Sequence, residues 1–145
     1  MTSCPLCNTP GGQVLYENNF IRVINANDPH YPAFTRVVLQ RHIAEMTDLD
    51  IQERQRLMDY VYLVEKTQRD ILHPDKINLA AFGTMVPHLH WHIIPRFKWD
   101  LHFPASVWSA KQRDENDAEY QQQLNKQKML LAEYEQRLIQ QLTQF

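Results

Sequence analysis

The sequence predicts an α+β fold, with an antiparallel sheet of about five strands, one long central helix and a C-terminal amphipathic helix. Short runs of β-branched and aromatic residues alternate with turn residues over the first 40 positions. The connections there are too short for the crossover helices that parallel strands require. A stretch whose apolar residues have the spacing of a helix follows, and the last part of the given sequence is a glutamine-rich stretch without glycine or proline.

Each predicted strand is a short run of β-branched and aromatic residues with turn-forming residues on both sides. A polar loop with Pro29 and Pro32 separates the second run from the third, and Pro95 follows the last. The segment from Cys4 to Gly12 has the composition of a tight turn and a loop. The predicted strands cover residues 14–17, 20–25, 35–40, 77–82 and 89–94.

The central helix has a defined start, face and end. Asp50 and Glu53 have the spacing of a capping box, in which each side chain accepts a hydrogen bond from the other residue's backbone amide. The turn at 73–75, which contains a proline, ends the helix. Its apolar face is predicted to consist of Leu57, Val61, Val64 and Ile71.

Residues 114–145 predict one long amphipathic helix. Leu124, Leu131 and Leu138 are spaced by seven, which places them on one stripe of a helix. The stripe is expected to pack either on the same domain or on a partner. We therefore predict a main domain over residues 1–110 and a helical extension of that domain over residues 111–145.

Composition excludes several classes of protein. The chain has 145 residues, enough for one domain with its own core, and a formal net charge of −2. That charge argues against a nucleic-acid-binding protein, and a total of 3 glycines excludes glycine-rich phosphate loops. No apolar run is long enough to span a membrane and no signal peptide is visible, so we expect a cytoplasmic protein with no membrane partner.

Three histidines, His88, His90 and His92, alternate with apolar residues. In a strand they would share one face at intervals of about 6–7 Å. A row of three histidines with only a structural role is unfavourable, because neutral imidazoles need hydrogen-bond partners and charged imidazoles repel one another. Two chemistries use such a row: metal binding by imidazole ligands, and covalent catalysis at phosphorus with an imidazole nucleophile. The spacing alone does not choose between them.

The segment from His88 to Ile94 resembles the signature of the histidine triad (HIT) superfamily of nucleotidyl hydrolases and transferases. The resemblance extends over residues 14–97, with Arg41-His42-Ile43 and Asn78 at similar places in the order of elements. The flanking pairs Val86-Pro87 and Pro95-Arg96 are similar to those of the bacterial diadenosine polyphosphate hydrolase-like branch. The resemblance thus implies an HIT domain within residues 1–110.

The resemblance implies a nucleotide hydrolase that needs no cofactor for its chemistry. His90 would be the nucleophile, attacking the α-phosphorus of a nucleoside phosphate to form a nucleotidyl-histidine that water then hydrolyses. His92 would bind a phosphate oxygen and assist the leaving group, and His88 would orient the row. The substrate would be a purine nucleotide, either a dinucleoside polyphosphate or a nucleoside phosphoramidate, with AMP among the products.

The resemblance also implies contacts to the nucleotide. Thr84 can donate a hydrogen bond to phosphate, in a segment where many members carry Gln or Ser. Ala33-Phe34 stands where the family usually has Gly-His, which leaves substrate preference open. The implied nucleotide-binding residues are Asn78, Thr84, Asn27 or Asn25, Phe20 and Ile21.

A structural zinc is a further expectation. Cys4 and Cys7 have the Cys-x-x-Cys spacing of half a tetrahedral site, and in a cytoplasmic protein such a pair more often binds metal than forms a disulfide. The resemblance supplies His42 and His88 as the other two ligands. Such a closed site would be structural and not catalytic.

The resemblance also implies a homodimer. The leucine stripe of the last helix offers a surface for a partner, and Trp108 could reach the neighbouring subunit's cleft.

Two other functions are weighed against the hydrolase. One is a non-enzymatic nucleotide-binding or signalling module, which would tolerate a replaced nucleophile but here retains all three histidines. The other is a zinc hydrolase with the triad as ligands, which lacks an obvious carboxylate base beside the row.

Overall fold

The computed structural model describes residues 3–145 and confirms the α+β fold. Five strands form one sheet: β1 Gln13–Glu17, β2 Ile21–Asn25, β3 Thr35–Leu39, β4 Lys76–Ala80 and β5 His90–Arg96. Their order in the sheet is β1-β2-β3-β5-β4, and each neighbouring pair is antiparallel. Strand β5, which carries two of the three histidines, therefore lies between two other strands.

The sheet has two chemically different faces. Arg36 pairs with His92 and Val38 with His90 across β3 and β5, so these four side chains share one face, here called the open face. Residues at the alternate positions, such as Val37 and Ile93, pack with the helices in the main core. Because one face carries the core, the other remains available for a site.

The described residues also form a short 3-10 helix, Met46–Asp48, and three α-helices: α1 Pro5–Asn8, α2 Ile51–Leu72 and α3 Ala118–Gln144. The predicted capping box starts α2, where the Glu53 amide donates to the Asp50 carboxylate over 2.8 Å and the Asp50 amide donates to Glu53 over 3.2 Å. His73 adopts a left-handed conformation, with a φ of 50°, and ends the helix. The prediction for α2 is confirmed, although Tyr60 and Gln68 also belong to its buried face.

The C-terminal helix packs on its own chain. It begins a few residues later than predicted, because the Asp117 carboxylate accepts a hydrogen bond from the Tyr120 amide and caps it. Leu124 and Leu138 of the predicted stripe are buried within the chain, while Leu131 is partly buried. The stripe therefore needs no partner to cover it, contrary to the argument that linked it to a dimer.

Among residues 3–145, none of the helices combines the length and the hydropathy that a transmembrane segment needs.

Candidate active site

The three histidines do not form one continuous row. His88 lies in a bend before β5 and is fully buried, whereas His90 and His92 occupy the open face at the start of the strand. The rings of His90 and His92 meet edge to face, with centroids 5.0 Å apart. His88 turns instead to His42, with ring centroids 5.3 Å apart. The structure thus divides the triad between two sites.

His90 is held as one tautomer by the backbone. Its Nδ1 lies 2.6 Å from the carbonyl oxygen of His88, and a carbonyl can only accept, so Nδ1 carries the proton. The lone pair of the ring is therefore on Nε2. A neutral imidazole in this state can act as a nucleophile or accept a proton through Nε2.

His92 is held in the opposite tautomer, by a side chain. The Nε of Arg36 donates a hydrogen bond to Nδ1 of His92 over 3.2 Å, which places the ring's own proton on Nε2. Burial, together with the charges of Arg36 and His90, lowers the pKa of His92 to about 3. His92 is therefore a neutral hydrogen-bond donor at physiological pH.

A cleft of about 590 Å³ opens over these side chains on the open face. Leu6 and Thr9 from the N-terminal segment line it together with Phe82 and Trp108 from later loops. The ring of Trp108 lies edge-on to His92 at 5.1 Å, and it also contacts Phe82 at 5.0 Å. A volume of this size suits a small organic ligand, and the aromatic rings offer surfaces for stacking.

A second cluster lies beside the cleft and contains Cys4, Cys7, His42 and His88, whose ligand atoms all lie within 4.8 Å of one another. Nδ1 of His88 is 3.5 Å from Sγ of Cys4, 3.4 Å from Sγ of Cys7 and 3.3 Å from Nδ1 of His42. A tetrahedral zinc with ordinary bond lengths separates its nitrogen and sulfur ligands by about 3.3–3.8 Å. The four residues therefore fit a metal ion of that kind.

The protonation of His88 suits a metal ligand. Its Nε2 donates to the carbonyl of Leu39 over 2.6 Å, which leaves the lone pair on Nδ1, the atom that faces the cysteines. Burial lowers the pKa of His88, so the ring is neutral, as a ligand must be.

Arg22 fixes the N-terminal segment that carries the two cysteines. Its buried guanidinium donates to the carbonyls of Leu6, Thr9 and Pro10 and to the Gln40 side chain. Leu6 packs beneath the segment in a small cluster with Cys4. Within the segment from Cys4 to Gly12, predicted as a tight turn and a loop, Pro5–Asn8 form the short helix α1.

The predicted nucleotide contacts fall in different places. Thr84 lines the cleft, as do His90 and His92. Asn78 lies in an adjoining groove of about 730 Å³, where its Oδ1 accepts a hydrogen bond from Arg96 over 2.7 Å. Phe82, Ser106 and Trp108 line both the groove and the cleft.

The other predicted contacts do not line the cleft. Phe20 and Ile21 belong to the main core, which the helices cover. Asn25 is buried on the face of the sheet that the helices cover, where its side-chain amide donates to the Pro32 carbonyl and to the Glu135 carboxylate. Asn27 is exposed in the following loop, with a φ of 57°, and its backbone amide donates to Oδ1 of the Asn25 side chain. Phe20, Ile21 and Asn25 thus contact the protein's own core and helices, while Asn27 lies in an exposed loop outside the lining of the cleft.

Sequence reasoning missed Arg36. The signal was a single charged residue inside the strand Thr35–Leu39, whose other members are apolar or uncharged. A charge on a central strand is costly unless the side chain has a specific partner or ligand. The residue that lies opposite Arg36 on the neighbouring strand could not be identified before the pairing of β3 with β5 was known.

The profile of the HIT domain matches residues 10–99, which includes every strand and all three histidines. This chain belongs to the HIT domain family. The membership agrees with the resemblance of the segment from His88 to Ile94 and with the order of the elements.

Two curated relatives are named for activities on dinucleotides. The chain is 24% identical to the AP-4-A phosphorylase of Mycobacterium tuberculosis over 116 residues, which are 76% of this chain and 60% of the relative. It is 30% identical to the bis(5'-adenosyl)-triphosphatase of Saccharomyces cerevisiae over 123 residues, which cover 71% of this chain and 59% of the relative. The chain thus spans about 60% of the length of these relatives.

Solved structures share the fold. A histidine triad protein from Bradyrhizobium japonicum has a TM-score of 0.69 and 29% sequence identity, with 90% of this chain and 92% of that chain covered. A Zn-bound histidine triad family protein from Mycobacterium smegmatis has a TM-score of 0.57 and 22% identity, with 93% and 97% covered. The second likeness concerns the fold alone.

Proposed function

We propose that this protein is a nucleotide hydrolase that cleaves nucleoside phosphates at the α-phosphorus, with His90 as the nucleophile. The hydrogen bond from Nδ1 of His90 to the His88 carbonyl carries the proposal, because it leaves Nε2 as the reactive nitrogen in the cleft. The names of the two curated relatives favour a nucleotide with a phosphate chain as the substrate.

The reaction has two displacements at phosphorus. In the first, Nε2 of His90 attacks the α-phosphorus, an N–P bond forms, and the bond from phosphorus to the leaving group breaks. In the second, water attacks the same phosphorus, the N–P bond breaks and the nucleoside monophosphate is released with a proton. The His88 carbonyl accepts from Nδ1 throughout, which stabilises the positive charge that the ring acquires.

The neighbouring side chains stabilise the charge on the phosphate. Nε2–H of His92 and the hydroxyl of Thr84 are donors at the cleft, where negative charge builds up on the phosphate oxygens. These donors can perform the role that a divalent cation has in many phosphoryl-transfer enzymes. We therefore propose that the chemical step requires no cofactor.

The zinc that we propose for the Cys4, Cys7, His42 and His88 cluster is structural. All four positions of a tetrahedral ion would be filled by protein, so the ion would hold the N-terminal segment against β5 and would offer no position for water. The division of the triad also argues against a zinc hydrolase with all three histidines as ligands, since His90 and His92 face the cleft.

Trapping of the intermediate tests the function. Protein incubated with diadenosine tetraphosphate and quenched in base, where phosphohistidine-type bonds survive, should yield a peptide that carries AMP on His90. His90→Ala should yield no adduct and should lose several orders of magnitude in turnover while its unfolding temperature changes little. Binding of the nucleotide without adduct or turnover in the unaltered protein would support a binding or signalling module instead.

We also propose a homodimer, from the resemblance, although the stripe of α3 no longer supports it. Light scattering at micromolar concentration should give twice the chain mass of 17.3 kDa. A mass of one chain would refute the dimer and would leave the proposed reaction unaffected. The cytoplasmic location also stays a prediction.

A further inference from the structure

Arg36 lies at the centre of the open face. It is directly opposite His92 on the neighbouring strand, donates from Nε to Nδ1 of that ring over 3.2 Å, and lines the cleft. Its guanidinium carbon is 5.1 Å from the centroid of the Phe34 ring. These two contacts, with His92 and with Phe34, hold the guanidinium in place, with its Nε directed at His92.

The charge of Arg36 is poorly compensated. Burial lowers the pKa of Arg36 and Asp28 raises it in part, but a guanidinium remains protonated at any physiological pH. No ion pair within residues 3–145 involves Arg36, and its two Nη atoms have no hydrogen-bond acceptor in that part of the chain. A half-buried cation with unused donors at a cleft is a site for an anion.

We propose that Arg36 binds the phosphate chain of the substrate and, through His92, makes the enzyme select leaving groups that depart as anions. The proposal rests on the proposed function and concerns the specificity of the same site. It would make Arg36 a binding residue for the phosphates and a positioning residue for His92.

The state of His92 is the reason for the selectivity. Because Nδ1 already accepts from Arg36, the only proton on the neutral ring is on Nε2. Loss of that proton would create an imidazolate, which is far less stable than a neutral ring. His92 can therefore donate a hydrogen bond to a phosphate oxygen but is a poor acid.

The two candidate substrate classes differ in what their leaving groups need. When the leaving group is a phosphate chain, the P–O bond breaks, its electron pair goes to the bridging oxygen, and the product departs as an anion without a proton. When the leaving group is an amine, the P–N bond breaks and the nitrogen must receive a proton. The site supplies a cation for the first case but only the weak acid His92 for the second.

Substitution of Arg36 separates the two classes by kinetics. Arg36→Leu should lower kcat/KM for diadenosine tetraphosphate by about 100-fold or more, because a charged donor to the developing anion is lost. For adenosine 5'-phosphoramidate, kcat/KM should change by less than about threefold, and Arg36→Lys should recover about tenfold on the tetraphosphate. Arg56→Leu is the matched control, since Arg56 stacks on Phe20 away from the cleft and should leave both rates unchanged.

Two results would overturn the proposal. One is an equal loss of kcat/KM on both substrates in Arg36→Leu with an unchanged unfolding temperature. The other is a preference of the unaltered protein for the phosphoramidate. Nitrogen NMR shifts of the His92 ring add a readout of positioning: Arg36→Leu should allow both tautomers, whereas the unaltered protein should show Nε2–H alone.

Binding distinguishes a failure of this proposal from a failure of the proposed function. Inorganic triphosphate is titrated by calorimetry into His90→Asn, which cannot form the adduct, and into the same variant with Arg36→Leu. The second should bind at least about tenfold more weakly. Equal affinities would refute the role of Arg36, even if the unaltered protein hydrolyses nucleotides. A difference in affinity without any turnover would refute only the hydrolase.

Discussion

The rings of His42 and His88 face each other through their Nδ1 atoms at 3.3 Å, although the two residues are 46 positions apart. That separation equals the distance between two nitrogen ligands of one tetrahedral ion, about 3.3–3.4 Å. At the same time, the backbone carbonyl of His88 orients His90. One residue therefore connects the candidate metal cluster with the candidate nucleophile.

The metal cluster gives the first prediction. Protein purified without a polyhistidine tag should contain about one zinc per chain, and Cys4→Ser should lose the zinc and about 2 kcal/mol or more of stability. A chelator should lower the unfolding temperature of the unaltered protein but leave that of Cys4→Ser unchanged, because the variant has no ion to lose. Zinc far below one per chain with an equally stable Cys4→Ser would contradict the prediction.

The second prediction concerns the chemical step. Turnover should need no added magnesium, and brief exposure to EDTA should leave kcat unchanged while circular dichroism shows an intact fold. The physical reason is that His92 and Thr84 donate to the phosphate directly. Loss of activity on EDTA that magnesium restores, with the fold unchanged, would show that a divalent cation takes part.

The third prediction concerns stability in acid. The pKa of His92 is about 3 in the folded chain and near 6.5 when unfolded, so the unfolded state binds a proton first as the pH falls. Stability should therefore decrease from about pH 6.5 towards pH 3, with this residue contributing at most about 1.4 kcal/mol per pH unit. In His92→Gln, urea unfolding at several pH values should show a shallower decrease. Above pH 7 the difference between the free energies of unfolding of the two proteins should be constant. If the substitution leaves the pH dependence of the free energy of unfolding unaltered, His92 is excluded as its cause.

The fourth prediction tests the docking of α3. The Tyr134 hydroxyl is fully buried and lies 2.7 Å from Oγ1 of Thr35 on β3. Tyr134→Phe should cost about 1 kcal/mol, because the short hydrogen bond to Thr35 and a longer one from Nε2 of Gln68 over 3.4 Å are lost, while Thr35 keeps its bond to the Ala33 carbonyl. Tyr62→Phe, at an exposed position of α2, is the matched control and should change stability by less than about 0.5 kcal/mol. Equal effects of the two substitutions in chemical denaturation would place α3 away from the sheet.

The parts of the fold that depend on local sequence were predictable. The capping box of α2 needs only residues three positions apart, and the end of the helix at His73 is marked by the proline that follows it. The amphipathic stripe of α3 was likewise visible, but the surface that covers it was not, because Tyr134 meets Thr35 across 99 positions.

The site was predictable only where a motif marks it. His90 and His92 stand out by alternation, whereas Arg36 acquires its role through a partner 56 positions away. The resemblance assigns Asn25 and Ile21 to the nucleotide, and alternation within β2 does not correct this because it does not say which set of side chains faces the helices. The register of β2 with β3 decides this, and it places both on the helix face.

Trp108 was expected to reach a neighbouring subunit, but its indole lies against Phe82 and His92 of its own chain. The aromatic wall of the cleft is thus made in the same polypeptide as the nucleophile. The reaction should consequently be first order in protein over the whole range of dilution, with the same turnover per chain at nanomolar and micromolar concentrations. Mixing with an inactive variant should reduce the rate only in proportion to the active chains replaced.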